Sequence, residues 1–278
     1  MKITDSKEVG LAIGQILGSQ LFGFEDLHYG YWTPDLAVTI GNFKVAQERY
    51  SRFLISQIPP SVKSILDVGA GSGTQAERLL NLGFQVDCVS PSRYLAQKIQ
   101  ERLKDRVALF TRPIEECSFE RRYDLILFSE SFQYVNMGRA LAVATHALSP
   151  GGFVLISDFF KKCAAPEGPL GGGHIWPEFE QTIVRAGLTR ISDLDITGET
   201  APTMEMFGTV LTATARPVRD LVCGFIQHRH PGLYRFLAWK FKERFRKLEN
   251  KYFAGALTAS SFKQYKTYRT LLYQKTDC

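Results

Sequence analysis

Long apolar runs are missing from this 278-residue chain. No stretch approaches the roughly 20 residues that a membrane-spanning helix needs, so no such helix is expected. The opening MKITDSKEVG has neither an apolar centre nor a cleavage site, and no secretory signal is expected there. Cysteine is scarce: Cys88, Cys117, Cys163, Cys223 and Cys278 are odd in number and show no CxxC spacing. That pattern argues against a disulfide framework or a structural zinc, gives no expected metal site, and fits a cytoplasmic setting. HExxH, paired-acid and Ser/His/Asp orders are lacking too, which leaves hydrolase chemistry without support.

What is present is unevenly spread. The formal charge of +6 hides two regions of opposite sign. Residues 1–215 hold 20 Lys and Arg against 24 Asp and Glu, whereas residues 216–278 hold 14 against 4. The basic excess therefore belongs to the last quarter of the chain.

From residue 63 onward β-branched runs alternate with helical patterns. Strands are expected at 64–68, 84–89, 107–110, 123–128, 153–158, 188–195 and 268–275, and helices at 74–82, 91–103, 137–148 and 175–186. Pro91 suits the first turn of its helix. Repeated strand–helix–strand units imply an α/β fold, a mostly parallel sheet with helices on both faces. Residues 1–60 read as a helical cap, 61–195 as the core, 196–260 as a helical insertion, and 261–278 as the core's final strand.

The most informative segment is Ile65-Leu-Asp-Val-Gly-Ala-Gly-Ser-Gly73. Glycines at the end of a strand let backbone approach a ligand closely, and the next helix offers free N–H groups. Asp67 would repel a pyrophosphate but suits a cationic ligand, and Thr74 departs from the dinucleotide GxGxxG pattern. The segment resembles motif I of the class I S-adenosylmethionine-dependent methyltransferases. Tyr123-Asp-Leu-Ile-Leu-Phe128 and Leu148-Ser-Pro-Gly-Gly152 resemble that family's fourth strand and the turn before its fifth. The resemblance implies a Rossmann-like methyltransferase sheet and S-adenosylmethionine as cofactor, held by Asp67, Gly69, Ala70, Gly71 and Gly73. Two positions depart from the pattern. Ser90 stands where an acid usually holds the ribose, and Arg112 fills an acidic slot after the third strand. Ile114 and Glu115 are then the expected adenine-side residues. Asp87, three residues before Ser90, is expected on the opposite face of its strand.

Asp26-Leu-His-Tyr-Gly-Tyr-Trp32 resembles the capping stretch of small-molecule methyltransferases of the tocopherol and phosphoethanolamine type. Tyr29 and Tyr31 are the matching candidates for the methionine end of the cofactor. Ser129-Glu130 follows the fourth strand at the edge where open α/β sheets bind ligands; the resemblance places Ser129 at the cofactor and Glu130 at the reacting groups. Where the nucleophile must lose a proton, His28, Asp158 and His174 are further candidate bases. The Gly171-Gly-Gly173 run before His174 reads as a loop able to close over a site.

Leu233, Leu237, Phe241, Phe245, Leu248 and Tyr252 mark a helical stripe among basic residues. It reads either as a lid over the acceptor or, through 229–252, as a peripheral membrane contact. The combined expectation is methyl transfer to a small, apolar or lipid-like acceptor. The alternatives are an RNA methyltransferase, weakened by the lack of an (N/D)PPY block, or a non-methylating protein that keeps the fold. A nucleic-acid partner is not expected.

Overall fold

The computed structural model describes residues 6–21, 23–163, 170–249, 255 and 257–276. Seven strands, β1 (Ser64–Val68), β2 (Gln85–Val89), β3 (Leu109–Phe110), β4 (Tyr123–Ser129), β5 (Leu148–Lys161), β6 (Leu188–Asp195) and β7 (Lys266–Lys275), make one sheet. Their order is β3-β2-β1-β4-β5-β7-β6. The first five pair in parallel, and β7 lies antiparallel between β5 and β6.

Alternation along the strands builds two cores. Ile65, Leu125, Leu127 and Leu155 point to one face, against α2 (Phe43–Ser56), α3 (Thr74–Asn81) and α4 (Arg93–Leu103). Leu66, Val68, Ile126, Phe128, Val154 and Ile156 point to the other, against α5 (Met137–Ala147) and α6 (Trp176–Arg185). Each such buried side chain is worth roughly 1.5–3 kcal/mol, so both helix layers are held firmly. The additional N-terminal helix α1 (Ser6–Leu21) reaches α4 through Tyr94, whose hydroxyl donates to Gln15 Oε1 at 2.9 Å.

The elements follow the sequence pattern with instructive shifts. The helix expected from Pro91 begins at Arg93, because Ser92 is its cap and accepts the Leu95 N–H at 3.2 Å. The third strand shortens to Leu109–Phe110 at the sheet's edge. The fifth lengthens at both ends, Leu148 pairing with Tyr123 and Phe159–Lys161 with β7. The antiparallel run of β7 has a simple cause. The insertion leaves β6 at the carboxyl edge of the sheet and returns at the same edge, where Ile196 N–H donates to Tyr268 O at 2.9 Å. A strand starting there can only run back. The insertion is therefore anchored at the ligand edge.

It comprises α7 (Thr197–Thr200), α8 (Pro202–Val210), a π turn over Leu211–Ala215, then α9 (Arg216–Arg229), α10 (Pro231–Lys240), α11 (Lys242–Leu248) and α12 (Ala259–Tyr265). Thr203 of α8, fully buried, accepts the Gly30 N–H at 3.0 Å and the Trp32 Nε1–H at 2.9 Å, joining the N-terminal segment to the insertion. The stripe expected over 233–252 is broken at Phe241 between α10 and α11. Tyr252 and the side chain of Leu248 lie outside the described residues.

Asp87, level with Leu66, sits on the face of the sheet opposite Asp67, as strand alternation implies. It accepts the Ala108 N–H at 2.8 Å and the Tyr123 hydroxyl at 2.8 Å, and pairs with Arg121 at 2.7 Å. Asp87→Ala leaves the buried Tyr123 hydroxyl without its acceptor and removes a part-buried bond to the Ala108 N–H, and should cost about 1–3 kcal/mol. Chemical denaturation measures that loss, and ligand affinity of the folded fraction should stay unchanged.

Candidate functional site

β1 runs into the glycine elbow, where Gly69, Gly71 and Gly73 take φ of +77°, +54° and +83°. Side chains are disfavoured there, but for different reasons. A Cβ on Gly69 would lie 2.3 Å from Ser131 Cβ, so this glycine is required by the chain that follows β4. A Cβ on Gly71 would meet only Leu27 Cδ1 at 3.9 Å, leaving that side open. Gly69 N–H donates to Val89 O at 2.8 Å, and Ala70 N–H reaches the same oxygen at 3.3 Å, tying the elbow to the end of β2.

Asp67 ends up almost fully buried beneath this elbow with Oδ2 lacking any hydrogen-bond partner. Burial pushes its carboxyl up to about 7. An unpaired buried carboxylate is costly, and a cationic or N–H-bearing ligand group is what would relieve it. Gln75, in the first turn of α3, is also buried with both amide atoms unpartnered. Sequence reasoning missed Gln75; its only signal was an amide on a helix face otherwise directed to the core.

Beside the elbow lies a cavity of about 430 Å3, lined among others by Val68, Gly69, Val89, Pro91, Ile114 and Val135. Its walls are mainly apolar, as a nucleobase slot requires. Ile114 is part of the wall, and Glu115 fixes the far rim by accepting the Asn136 N–H at 2.6 Å. Ser90 is buried just past β2, its N–H donating to Phe110 O at 2.9 Å. Arg112 is exposed. A larger cavity of about 510 Å3 between α1 and α4 is polar, and Arg102 there already pairs with Glu25 and Glu77. The apolar slot is the better match to a nucleoside.

Glu130 follows β4 directly and holds φ of +52°, a strained value for a non-glycine residue. Its Oε1 accepts the Tyr29 N–H at 2.6 Å and the Tyr268 hydroxyl at 2.7 Å. The Tyr50 hydroxyl lies 2.8 Å from that of Tyr268 and donates to Ser157 Oγ at 2.8 Å. Burial pushes the Glu130 carboxyl up to about 6, although His28, Tyr268 and the Tyr29 N–H pull it down. Tyr29 packs against Phe159, Phe262 and Tyr268, with ring centroids 5.7–5.9 Å apart. Ser129 closes β4 opposite Ser157.

The other candidates have hydrogen-bond or packing partners of their own. Tyr31 stacks on Phe53 of α2 at 5.0 Å and donates its N–H to Ala46 O. His28 Nδ1 lies 2.8 Å from Tyr29 O, and Nε2 lies 3.1 Å from Ser51 Oγ and 3.5 Å from Asp26 Oδ1. Burial disfavours its cationic form, but the hydrogen bond to Asp26 and the charges of Asp26 and Glu130 raise its pKa above the ordinary value. Asp158 accepts N–H groups of Gln133 and Phe159 at 2.9 and 2.8 Å. Burial and then the Glu130 charge push it up to about 8, so it carries a proton at neutral pH. His174 Nε2 lies 2.9 Å from Phe132 O; burial holds its pKa down, and the neutral ring anchors the glycine loop. The Lys266 ammonium donates to the carbonyls of Gly171 and Gly172 and pins the loop from the other side.

The elbow makes a signed prediction. The Asp67 carboxyl titrates about 7 in the ligand-free fold against 3.8 as a free side chain, so its stabilising contribution is fully present below pH 4 and lost as pH rises through 7. Asp67→Asn should gain thermal stability over the parent as pH rises, by roughly 1.4 kcal/mol per unit in that window. The same variant should lose cofactor affinity by at least about tenfold, the worth of a charged hydrogen bond. Thermal melts at pH 5 and pH 8, with and without S-adenosylmethionine, read both effects.

Comparison with known proteins agrees with this geometry. A family model described as "Methyltransferase domain" matches residues 42–207. A malonyl-acyl-carrier-protein O-methyltransferase of Priestia megaterium is 31% identical over 133 residues, 44% of this chain and 48% of that protein. An uncharacterized methyltransferase of Mycobacterium tuberculosis is 28% identical over 95 residues, 34% of this chain and 39% of that protein. The chain thus spans less than half the length of these curated relatives. Among solved structures, geranyl diphosphate C-methyltransferase from Streptomyces coelicolor A3(2) superposes with a TM-score of 0.68 at 15% identity, covering 98% of this chain and 99% of that one. The cyclase SpnF gives 0.68 at 16% identity, covering 99% and 98%. At such identities the likeness speaks for the fold. The elbow's buried acid fits the cationic nucleoside S-adenosylmethionine, and the family match extends over more than half the chain: it belongs to the class I S-adenosylmethionine-dependent methyltransferases.

Proposed function

We propose that this chain transfers a methyl group from S-adenosylmethionine to a small, apolar or lipid-like acceptor, with Glu130 as the proton-accepting group. The observation that carries the reading is the Glu130 carboxylate, directly after β4 at a strained φ and held by the Tyr29 N–H and the Tyr268 hydroxyl, with Tyr29 itself packed among aromatic rings. Asp67, Gly69, Ala70, Gly71 and Gly73 are the cradle for the cofactor's charged end. Ser90, Ile114 and Glu115 serve the nucleoside side, and Tyr29 and Ser129 border the methyl-bearing side. When bound, S-adenosylmethionine supplies a methyl group on a sulfonium that leaves as a neutral thioether.

The remaining work falls to the protein. In-line displacement depends chiefly on positioning, and the two hydrogen bonds to Glu130 fix its carboxylate. Raised to about 6, that carboxylate is ionised at neutral pH yet basic enough to take a proton from an acceptor hydroxyl or amine. Protonated Asp158 adds no second negative charge beside it. Tyr29, Phe159 and Phe262 favour an apolar acceptor body. The acyl and isoprenoid groups in the names of two similar proteins point the same way. The free cysteines among the described residues suit a reducing cytoplasm, and no described helix is long and apolar enough to cross a membrane.

A second reading is a non-methylating use of the fold. It is favoured by Ser90, which offers the ribose a hydroxyl in place of a carboxylate, and by the similar fold of a protein named as a cyclase. Calorimetry separates the two: no heat with millimolar S-adenosylmethionine would favour the second.

For the first reading, the methyl-transfer rate should climb as pH rises through about 6, where Glu130 ionises. Glu130→Gln should lower kcat about 10²–10⁴-fold and flatten that limb, with cofactor affinity retained. Rate–pH profiles of both proteins, with an acceptor identified by mass spectrometry of the purified chain, check this. An unchanged limb in the variant would remove Glu130 from the base's role.

A further inference from the structure

We propose that the arm formed by α9, α10 and α11 docks this protein on an anionic lipid surface. Not one described residue of α9 or α10 is buried. Their large apolar side chains face outward: Leu221 is 75% exposed, Phe225 67% and Trp239 76%, joined by Val218, Leu233 and Phe236. Val218, Leu221, Val222 and Phe225 follow helical spacing and so share one face of α9. A stripe of this kind on a protein surface marks something that covers it.

Charge says what covers it. Residues 216–249 hold nine Lys and Arg against three Asp and Glu. All three acids are spent within the arm: Glu249 on Arg216 and Arg219, Asp220 on Arg219, and Glu243 on Arg246. Among the described residues, no carboxylate pairs with Arg229, Arg235, Lys240, Lys242 or Arg244. The cations are interleaved with the rings. Lys240 Nζ lies 5.5 Å from the Phe236 centroid and 5.8 Å from that of Phe241, and Arg244 lies 5.9 Å from Phe241. Such side chains bury their stems in an apolar layer while their charges meet lipid phosphates. A second copy of the chain would set one basic arm against another, and a nucleic acid has no apolar layer to cover Val218, Leu221 and Val222.

The arm's root lies on the functional edge of the sheet. The insertion departs and returns at the carboxyl edge, where Glu130 and Tyr268 meet. The π turn Leu211–Ala215 joins α8, which is locked to the N-terminal segment through Thr203, to the outlying α9. Such turns recur at functional bends in helices. The docking surface and the acceptor side are thus parts of one excursion. This inference deepens the lipid-like acceptor reading but is tested without acceptor or cofactor.

The experiment is vesicle co-sedimentation of the whole protein, using phosphatidylcholine alone and phosphatidylcholine mixed with phosphatidylglycerol, at low and high salt. Binding should require the anionic lipid and weaken with salt. Reversing Arg235, Lys240 and Lys242 to Glu should lower partitioning at least about tenfold, while the thermal shift produced by S-adenosylmethionine stays intact. Phe225→Ser with Trp239→Ser should also weaken binding, and the blue shift of fluorescence on binding should vanish in Trp239→Phe. Absence of binding, equal binding to both vesicles, salt-sensitive binding to RNA without vesicle binding, or a dimer that shields Trp239 would each overturn the proposal.

Discussion

The rest of the elbow is built around a buried carboxylate with one unpartnered oxygen. Asp67 is nearly sealed from solvent at the end of β1, and one of its oxygens meets no donor. Three features surround it: glycines at positive φ that turn the chain, a β2 carbonyl that holds the turn, and a helix that starts at Thr74. Burial pushes the Asp67 carboxyl up to about 7, so the ligand-free fold takes up a proton there as pH falls through neutrality, and a cationic ligand would oppose that uptake. A cationic cofactor bound there would couple its affinity to that proton.

Glu130 supplies the complementary half. It stands one strand over from Asp67, yet its environment is the opposite: two donors, the Tyr29 N–H and the Tyr268 hydroxyl, hold a single oxygen. Two acids at one sheet edge thus have different surroundings, and the proposed function gives them different tasks, Asp67 at the cofactor and Glu130 at the acceptor. The strained backbone at Glu130 and the seating of Ser131 against Gly69 bind the two halves together. The segment after β4 cannot move without disturbing the elbow.

Much of this was legible in the chain. The strand pattern, the acid-and-glycine block, the β4 run and the Pro-Gly-Gly turn carry the sheet and the family, because period-two burial and positive φ leave plain marks in sequence. Asp87's place on the face opposite Asp67 was legible for the same reason. Other features depend on distant partners and leave no local mark. The Gly69 requirement comes from Ser131, sixty-two positions later, and Tyr31's place on Phe53 comes from how α2 packs. The antiparallel β7 follows from where the insertion leaves and returns, which the strand's own residues do not encode. The basic stripe was visible, but its outward face emerged only once α9 and α10 were seen to bury nothing.

The account rests on Asp67 exchanging its proton for a bound cation, and calorimetry reads that exchange directly. S-adenosylmethionine is titrated into the protein at pH 6 in buffers of different ionisation enthalpy. The expected result is a heat that varies with buffer and corresponds to release of nearly one proton, an effect absent in Asp67→Asn. A buffer-independent heat in the parent protein, or proton release unchanged in the variant, would contradict it.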